Sequence, residues 1–363
     1  MKLAIIGTRG VPANYGGFET FAEELGRRLV ERGHEVTVYG RRGFIDPTLK
    51  EYRGMRLVVL PSLSSKHLET VSNTFAAALH AAKRGFDAAL VCNAANAPFI
   101  RILQMAGIPV ALNVDGLERK RRKWGLAGRT YYRICERLAA RLPDALITDA
   151  EVIRRYYRRA YKVKSEMIVY GGDLEPPLGT VILDEMGLEP EEYLFYVSRF
   201  EPENNPDRVV EAFSRVSGNR RLVMVGGAPY SRGLTRRVSE LADERVLLPG
   251  PVYGDAYRQL LFNCRAYIHA TEVGGTHPAL VEAMGAGRPV LYYDTPENRE
   301  VAGAAGRRFR FDRDETLEDA ISAIIEDTAV LVEMGRHSTQ RVGERYLWRD
   351  VADAYERVLE GLC

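Results

Sequence analysis

Residues 270–291 read ATEVGGTHPALVEAMGAGRPVL, and the architecture can be worked outward from them. An apolar run precedes them at 265–270 and another overlaps their end at 289–293, each with the length and composition of a short buried strand. Between the two lie a Gly-Gly-Thr-His turn and a short amphipathic helix starting near Pro278, with Ala279, Leu280, Ala283 and Met284 at helical spacing. Strand, glycine turn and helix start together make a place where backbone N–H groups can face an anion. There Thr276 and His277 are expected beside a phosphate, with Gly275 allowing close approach, and Glu282, one helical turn in, can accept hydrogen bonds from hydroxyls. Standing alone, the same residues also suit an ordinary βαβ crossover, with glycines for the turn and an acid for solvation.

The run GTHPALVEAMGAGRPV, residues 275–290, resembles the donor-site motif of the retaining glycosyltransferases of family 4, which adopt the GT-B fold. In most of that family two glutamates are separated by seven intervening residues. Counting back from Glu282, the first would fall at position 274, which is Gly here, and the nearest acid is Glu272. A Val-Gly-Gly-Thr-His-Pro run of this kind is similar to the rhamnosyltransferase-like branch. The resemblance covers nearly the whole chain and implies an α/β protein of two Rossmann-like, doubly wound domains facing a central cleft. The expected divisions are 1–170 on the acceptor side, 171–345 for nucleotide-sugar binding, and a C-terminal helix at 346–363 crossing back.

Composition agrees with two domains of ordinary size. The chain has 363 residues, 46% hydrophobic and 28% charged, and no apolar run approaches the ~20 residues needed to span a bilayer. The opening MKLAIIG reads as a first strand rather than a leader, so the cytoplasm is the expected location. Cys92, Cys135, Cys264 and Cys363 are far apart and show no metal-ligand spacing, so they read as reduced and incidental; the resemblance implies no metal or cofactor beyond a nucleotide-sugar co-substrate. No lysine follows Lys164; any phosphate clamp in the C-terminal half must use Arg, His or backbone N–H.

Residues 2–7 predict a buried strand, 8–17 a loop, and about 18–32 a helix with Phe18, Phe21, Ala22, Leu25 and Leu29 on one face. The dinucleotide fingerprint G-x-G-x-x-G is absent, and Arg41 and Arg42 stand where an acid would hold a ribose, which disfavours NAD. Gly16 and Gly17 permit close backbone approach to a substrate; within the resemblance, Tyr15, Gly16, Gly17 and Glu19 match a glycine loop bordering the cleft. Strands at 55–61, 87–93, 109–113 and 145–148 alternate with helices near 66–84, 97–105 and 130–141, which predicts a parallel sheet covered on both faces. Two strand ends are polar, Asn93 to Asn96 and Asn113-Val-Asp115-Gly116, and are either substrate contacts or plain turn chemistry. The resemblance places Asp115 and Glu118 on the acceptor side, with Asp115 the candidate for the acceptor hydroxyl.

From 118 to 166 the chain carries 15 Lys/Arg against 6 Asp/Glu, a local excess of +9 within a chain of net charge +2. Arg119 to Lys123, then Arg129, Arg133, Arg137 and Arg141, suggest a helical stripe of cations, which Arg154, Arg155, Arg158 and Arg159 extend. With Trp124, Tyr131 and Tyr132 interleaved, the 119–164 region suits an anionic membrane face; a solvated face is the other reading, and nucleic acid is not expected.

The hinge is expected near 167–177, and the second domain opens with a strand at 193–199 and a helix at 207–215. The family's pattern there is an Arg followed five residues later by Lys, gripping the donor diphosphate. Arg199 matches, and the lysine position is Asn204. Arg232, after the strand ending at Gly227, could supply the missing charge, and Tyr253 could stack on a base. Asp312-Arg-Asp314 resembles a D-x-D metal motif of another fold but precedes a helix at 316–325, where a helix cap is the simpler account.

The expected reaction is therefore metal-independent transfer with retention, with Asp115, Glu272 and His277 as catalytic candidates. Many members of the resembled family carry a histidine after the fourth strand that contacts the sugar's 6-hydroxyl; Asn93 to Asn96 offer none, so the resemblance implies a 6-deoxy sugar, with dTDP-rhamnose as the expected donor, while the basic tract suggests a lipid-linked saccharide at the inner membrane face as acceptor. A nonhydrolysing sugar-nucleotide epimerase, a transferase using a UDP- or GDP-sugar, and a catalytically silent nucleotide-sugar-binding subunit are the alternatives.

Overall fold

In the computed structural model, which describes residues 1–14, 16–63, 68–227, 231–312 and 315–363, the chain forms two units, 1–170 together with 348–363, and 171–347. The first is built on eight strands: β1 (Lys2–Ile6), β2 (Glu35–Arg41), β3 (Glu51–Tyr52), β4 (Met55–Leu60), β5 (Ala88–Cys92), β6 (Val110–Asn113), β7 (Ala145–Thr148) and β8 (Glu166–Met167). Their order is β3-β4-β2-β1-β5-β6-β7-β8, parallel except for the β3–β4 pair. The strands are apolar on both faces because helices cover both: α1 (Gly17–Glu31), α2 (Glu69–Ala81), α3 (Ile100–Met105), α4 (Leu126–Ala139) and α5 (Glu151–Tyr161).

The second unit carries α6 (Val181–Met186), α7 (Pro206–Ser214), α8 (Arg232–Leu241), α9 (Gly254–Asn263), α10 (Pro278–Gly285), α11 (Pro296–Ala302), α12 (Leu317–Ser322) and α13 (Thr328–Arg345). Its six strands are β9 (Tyr193–Arg199), β10 (Arg221–Gly227), β11 (Val246–Gly250), β12 (Ala266–His269), β13 (Val290–Tyr293) and β14 (Gly306–Phe309), all parallel in the order β11-β10-β9-β12-β13-β14. Segment 171–172 packs closely on α10. A methyl group on Gly285 would stand 1.8 Å from the Gly172 carbonyl oxygen, and one on Gly172 would meet Val281 at 2.4 Å. Only glycine at both positions lets the backbones touch.

The last helix, α14 (Trp348–Glu360), belongs to the first unit. Trp348, Val351, Ala352, Tyr355 and Leu359 recur at helical spacing and are all buried. Phe21 of α1 receives them, with ring centroids 5.1 Å from Tyr355, 6.4 Å from Trp348 and 5.4 Å from Tyr170. Each such aromatic stabilises by about 1.5–3 kcal/mol when buried. At the rim Arg32 pairs with Glu356 at 2.6 Å, and His34 Nε2 lies 2.7 Å from the same carboxylate.

Several expectations are corrected here. The helix expected at 130–141 begins at Leu126, and the one expected at 316–325 is α12, capped by Thr316: the Thr316 hydroxyl accepts from Asp319 N–H at 3.2 Å while the Asp319 carboxylate accepts from Thr316 N–H at 3.1 Å. Asp314 lies outside the described residues. The basic tract is not one stripe. Arg119 sits in a short 3-10 turn and pairs with the buried Glu136 at 3.0 Å, and Arg121 is buried against Glu118 at 2.5 Å. Lys120 and Arg122 stay exposed, as do the cations on α4 and α5 and just beyond them, from Arg129 to Lys164. No helix among the described residues is long and apolar enough to cross a membrane.

Candidate functional site

In an open parallel sheet the strand order reverses at one place, and the loops leaving the carboxyl ends of the two strands there diverge to leave a crevice. In the first sheet that place lies between β1 and β5. The loop after β1 turns through Gly7 and Gly10, both at positive φ, and a methyl group on Gly7 would stand 2.5 Å from the Cys92 carbonyl oxygen. Glu19, buried in the first turn of α1, reaches back to accept from Arg9 N–H at 2.8 Å, so it braces this loop from beneath. Gly16 is the extended N-cap residue, and no side chain caps the start of α1, whose first residue is Gly17. Tyr15 lies outside the described residues.

At the end of β5, Asn93 has φ 74° and accepts from Ala95 N–H at 2.9 Å. Asn96 is fully buried and donates to the Cys92 carbonyl at 2.7 Å. It is therefore a structural residue beneath the loop, which corrects the expectation that it faces an acceptor. Asn113, at the end of β6, donates to the Tyr355 hydroxyl at 2.6 Å and accepts from Asp115 N–H at 2.9 Å. Asp115 thereby holds a left-handed backbone, φ 57°, and is half-buried at the strand ends. Burial, then Asp115 and Asp149, pushes the Tyr170 phenol well above the usual tyrosine range. Glu118 is turned into its pair with Arg121.

In the second sheet the reversal falls between β9 and β12. Half-buried Arg199 ends β9 where the loop after it begins, and the loop after β12 is the 270–277 stretch. Asparagines stitch the two together. Asn205, at φ 54°, donates to the Ala270 carbonyl at 2.9 Å and to the Glu272 carboxylate at 3.0 Å, while Glu272 N–H donates to the Glu203 carbonyl at 2.9 Å. Asn204, expected to replace the phosphate-binding lysine, instead turns inward: its amide donates to the Arg199 carbonyl at 2.6 Å. It shapes the turn that presents Arg199.

His277 is the N-cap residue of α10 and Pro278 its first residue, where the missing N–H costs nothing. Thr276 is buried beside them. The His277 ring explains Gly274: a methyl group there would stand 2.2 Å from His277 Cε1, so the imidazole fills the space in which a side chain at 274 would begin. Behind His277, at 4.8 Å between centroids, lies the buried ring of His269, whose Nε2 has no hydrogen-bond partner among the described residues. Burial, then the neighbouring His277, holds His269 well below the usual histidine range, so it is neutral. Glu282 is buried one turn into α10, where it accepts from the Tyr257 hydroxyl at 2.7 Å. Burial, then the Glu282 carboxylate, pushes that phenol well above its ordinary range and keeps it a donor.

Tyr257, Asn205, His269 and Asn298, which donates to the Thr271 and Tyr293 carbonyls at 2.9 and 2.8 Å, were not among the expected site residues. Asn205 had a signal, an Asn before Pro at a helix start; Tyr257 and His269 had none, because their partners are distant in sequence. Gly227 ends β10; Arg232 is exposed at the start of α8, beyond residues 228–230, which are not described; Tyr253 is exposed as the N-cap residue of α9. The described residues hold one group whose ligand atoms converge within 4.8 Å, His34, Glu356 and Glu360, at the amino-terminal edge of the first sheet, where Arg32 already pairs with Glu356.

Two family profiles match the chain, the "Glycosyl transferase 4-like domain" over residues 16–170 and "Glycosyl transferases group 1" over residues 184–341. The phosphatidylinositol N-acetylglucosaminyltransferase gpi3 subunit of Schizosaccharomyces pombe is 27% identical over 173 residues, 46% of this chain and 38% of that protein, so the match spans well under half of the relative. Among solved structures, sucrose-phosphate synthase from Thermosynechococcus elongatus superposes with a TM-score of 0.81 at 18% identity, over 99% of this chain and 98% of that one. Anabaena HepE in complex with UDP-glucose does so with a TM-score of 0.79 at 17% identity, over 99% and 100%. At such identities the likeness is one of fold.

Proposed function

Because this chain is a glycosyltransferase, a 4-like domain followed by a group 1 domain on the GT-B fold, we propose that it moves a sugar from a nucleoside diphosphate donor to a saccharide hydroxyl with retention. The observation that carries the reading is the pair of loops at the β9–β12 reversal, with Arg199 on one and the Gly274–His277 helix tip on the other. As the glycosidic bond to the donor breaks, negative charge develops on the leaving diphosphate. Arg199 offers it a bidentate contact, and the first N–H groups of α10, with Thr276 and His277, offer fixed dipoles. This division of labour needs no metal ion. Glu282, held by Tyr257, accepts hydrogen bonds from donor hydroxyls, and Asp115 serves the acceptor hydroxyl.

The sugar we favour is L-rhamnose, from dTDP-rhamnose. Its C6 carries no hydroxyl to recognise, and the end of β5 offers no histidine, with Asn96 withdrawn into the core. A UDP-sugar is the second reading, favoured by the likeness to a protein crystallised with UDP-glucose. Turnover of dTDP-rhamnose, UDP-glucose, UDP-GlcNAc and GDP-mannose, followed by nucleotide release and by the anomeric configuration of the product, decides between them; preference for any of the last three defeats the rhamnose reading. Arg199→Ala is expected to lower kcat/KM roughly hundredfold, and nucleotide binding without any product would make the chain a silent binding subunit.

The acceptor we favour is lipid-linked, approached at an anionic membrane face. Exposed Arg129, Arg133, Arg158 and Arg159 lie on α4 and α5, and Leu126 is 84% exposed at the start of α4. Charge-neutralising those four arginines should release the protein from anionic vesicles, and unchanged binding would remove the membrane from the proposal.

A further inference from the structure

The second sheet has another opening, at its amino-terminal edge. There a cavity of ≈ 330 Å³ lies between the segments that enter β12 and β13 and the first turns of α13. Arg265 immediately precedes β12 and Pro289 immediately precedes β13, while Leu331 and Val332 form the facing wall. The cavity is thus separated from the 270–277 loop by the whole of β12, four residues or about 13 Å of strand.

Its arginines differ in kind. Arg288 pairs with Glu191 at 2.5 Å and donates to the Cys264 carbonyl at 3.0 Å, and Arg336 pairs with Glu333 at 2.7 Å. Arg265 is 8% exposed, yet its side chain makes one hydrogen bond among the described residues, from Nε to the Ile325 carbonyl, and has no carboxylate at ion-pair distance. A guanidinium carries five donors in a planar fork; Glu326, bonded to Arg220, lies near enough to feel the Arg265 charge, but no carboxylate among the described residues bonds that fork. Its remaining N–H groups belong to a side chain that lines a space of small-molecule size with an apolar wall opposite.

We propose that this cavity binds a small organic anion, a phosphate- or carboxylate-headed molecule whose head pairs with Arg265 and whose apolar body lies on Pro289, Leu331 and Val332. The site is separate from the nucleotide loops and does not depend on the transferase reading.

Calorimetric titration of the full chain with phenyl phosphate, benzoate and inorganic phosphate tests it. Phenyl phosphate or benzoate is expected to bind, whichever is tighter identifying the head group, and inorganic phosphate, lacking the ring, is expected to be about tenfold weaker. Arg265→Lys, which keeps the charge but loses the fork, should weaken binding about tenfold. Val332→Glu, at a position 68% exposed on α13, places a carboxylate at the cavity without disturbing the Arg265–Ile325 bond, and should abolish binding with an unchanged melting temperature. Absence of binding by both aromatic anions overturns the proposal. So does binding that survives in Val332→Glu or that is lost in Arg199→Ala, since either would put the anion elsewhere.

Discussion

Tyr257 and Glu282 meet at 2.7 Å in a buried setting, the phenol donating to the carboxylate's Oε2. A hydrogen bond to a charged group contributes about 1.5–3 kcal/mol. Tyr257→Phe keeps the ring against Phe195 and removes only the donor, so the donor KM is expected to rise about tenfold with a smaller change in kcat. In a double-mutant cycle with Glu282→Gln, the second substitution should then add little; additive effects would show that Tyr257 does not act through Glu282. His269 carries a pH prediction. Folded, it stays neutral because its pKa is depressed by burial and by His277; unfolded, it titrates near the ordinary ~6.5. As pH falls below that value, the unfolded chain takes up a proton that the folded chain refuses, so stability declines on the acid side. His269→Phe preserves the stacking on His277 and removes the proton site, and the drop in Tm between pH 7.5 and 5.5 should shrink. At this scale the sequence was half legible. Gly274 stood out as a departure from the two-glutamate spacing, but its cause, the His277 ring 2.2 Å from any Cβ there, is a contact no spacing reveals.

Among the elements, strands were the most legible, because a parallel sheet covered on both faces demands continuous apolar runs: β7 and β9 fall at 145–148 and 193–199 as expected. Polar residues at strand ends were the least. Asn96 and Asn204 carry the same chemistry as a ligand-binding amide, and only the carbonyls of Cys92 and Arg199, folded back within reach, show that they serve the backbone. The basic tract misled for a related reason: Arg119 and Arg121 read as surface cations until Glu136 and Glu118 are brought against them. The contact between α10 and segment 171–172 gives the prediction proper to this scale. Gly285→Ala would place a methyl group 1.8 Å from the Gly172 carbonyl oxygen, where backbone, not a flexible side chain, must move. Overpacking of this kind costs about 1–3 kcal/mol, to be seen as a lower denaturation midpoint, whereas Gly343→Ala on α13, with nothing within 4 Å of its Cβ, should be neutral or stabilising.

For the whole molecule, two parallel sheets each with one reversal of strand order place the candidate loops without further assumption, and the order follows from which strands pair rather than from any motif. The first unit is completed by residues 348–363. Trp348→Ala should cost about 3–5 kcal/mol, visible as faster hydrogen exchange in α1, on whose Phe21 the indole rests; protection unchanged in α1 would mean that α14 is an ornament. The same arrangement bears on how the chain is made. During synthesis the residues of α1 leave the ribosome long before α14 exists, so the apolar stripe of Phe21 and Leu25 waits, uncovered, while some three hundred further residues are translated. A nascent chain stalled short of Trp348 should therefore be held by chaperones that a finished one no longer needs.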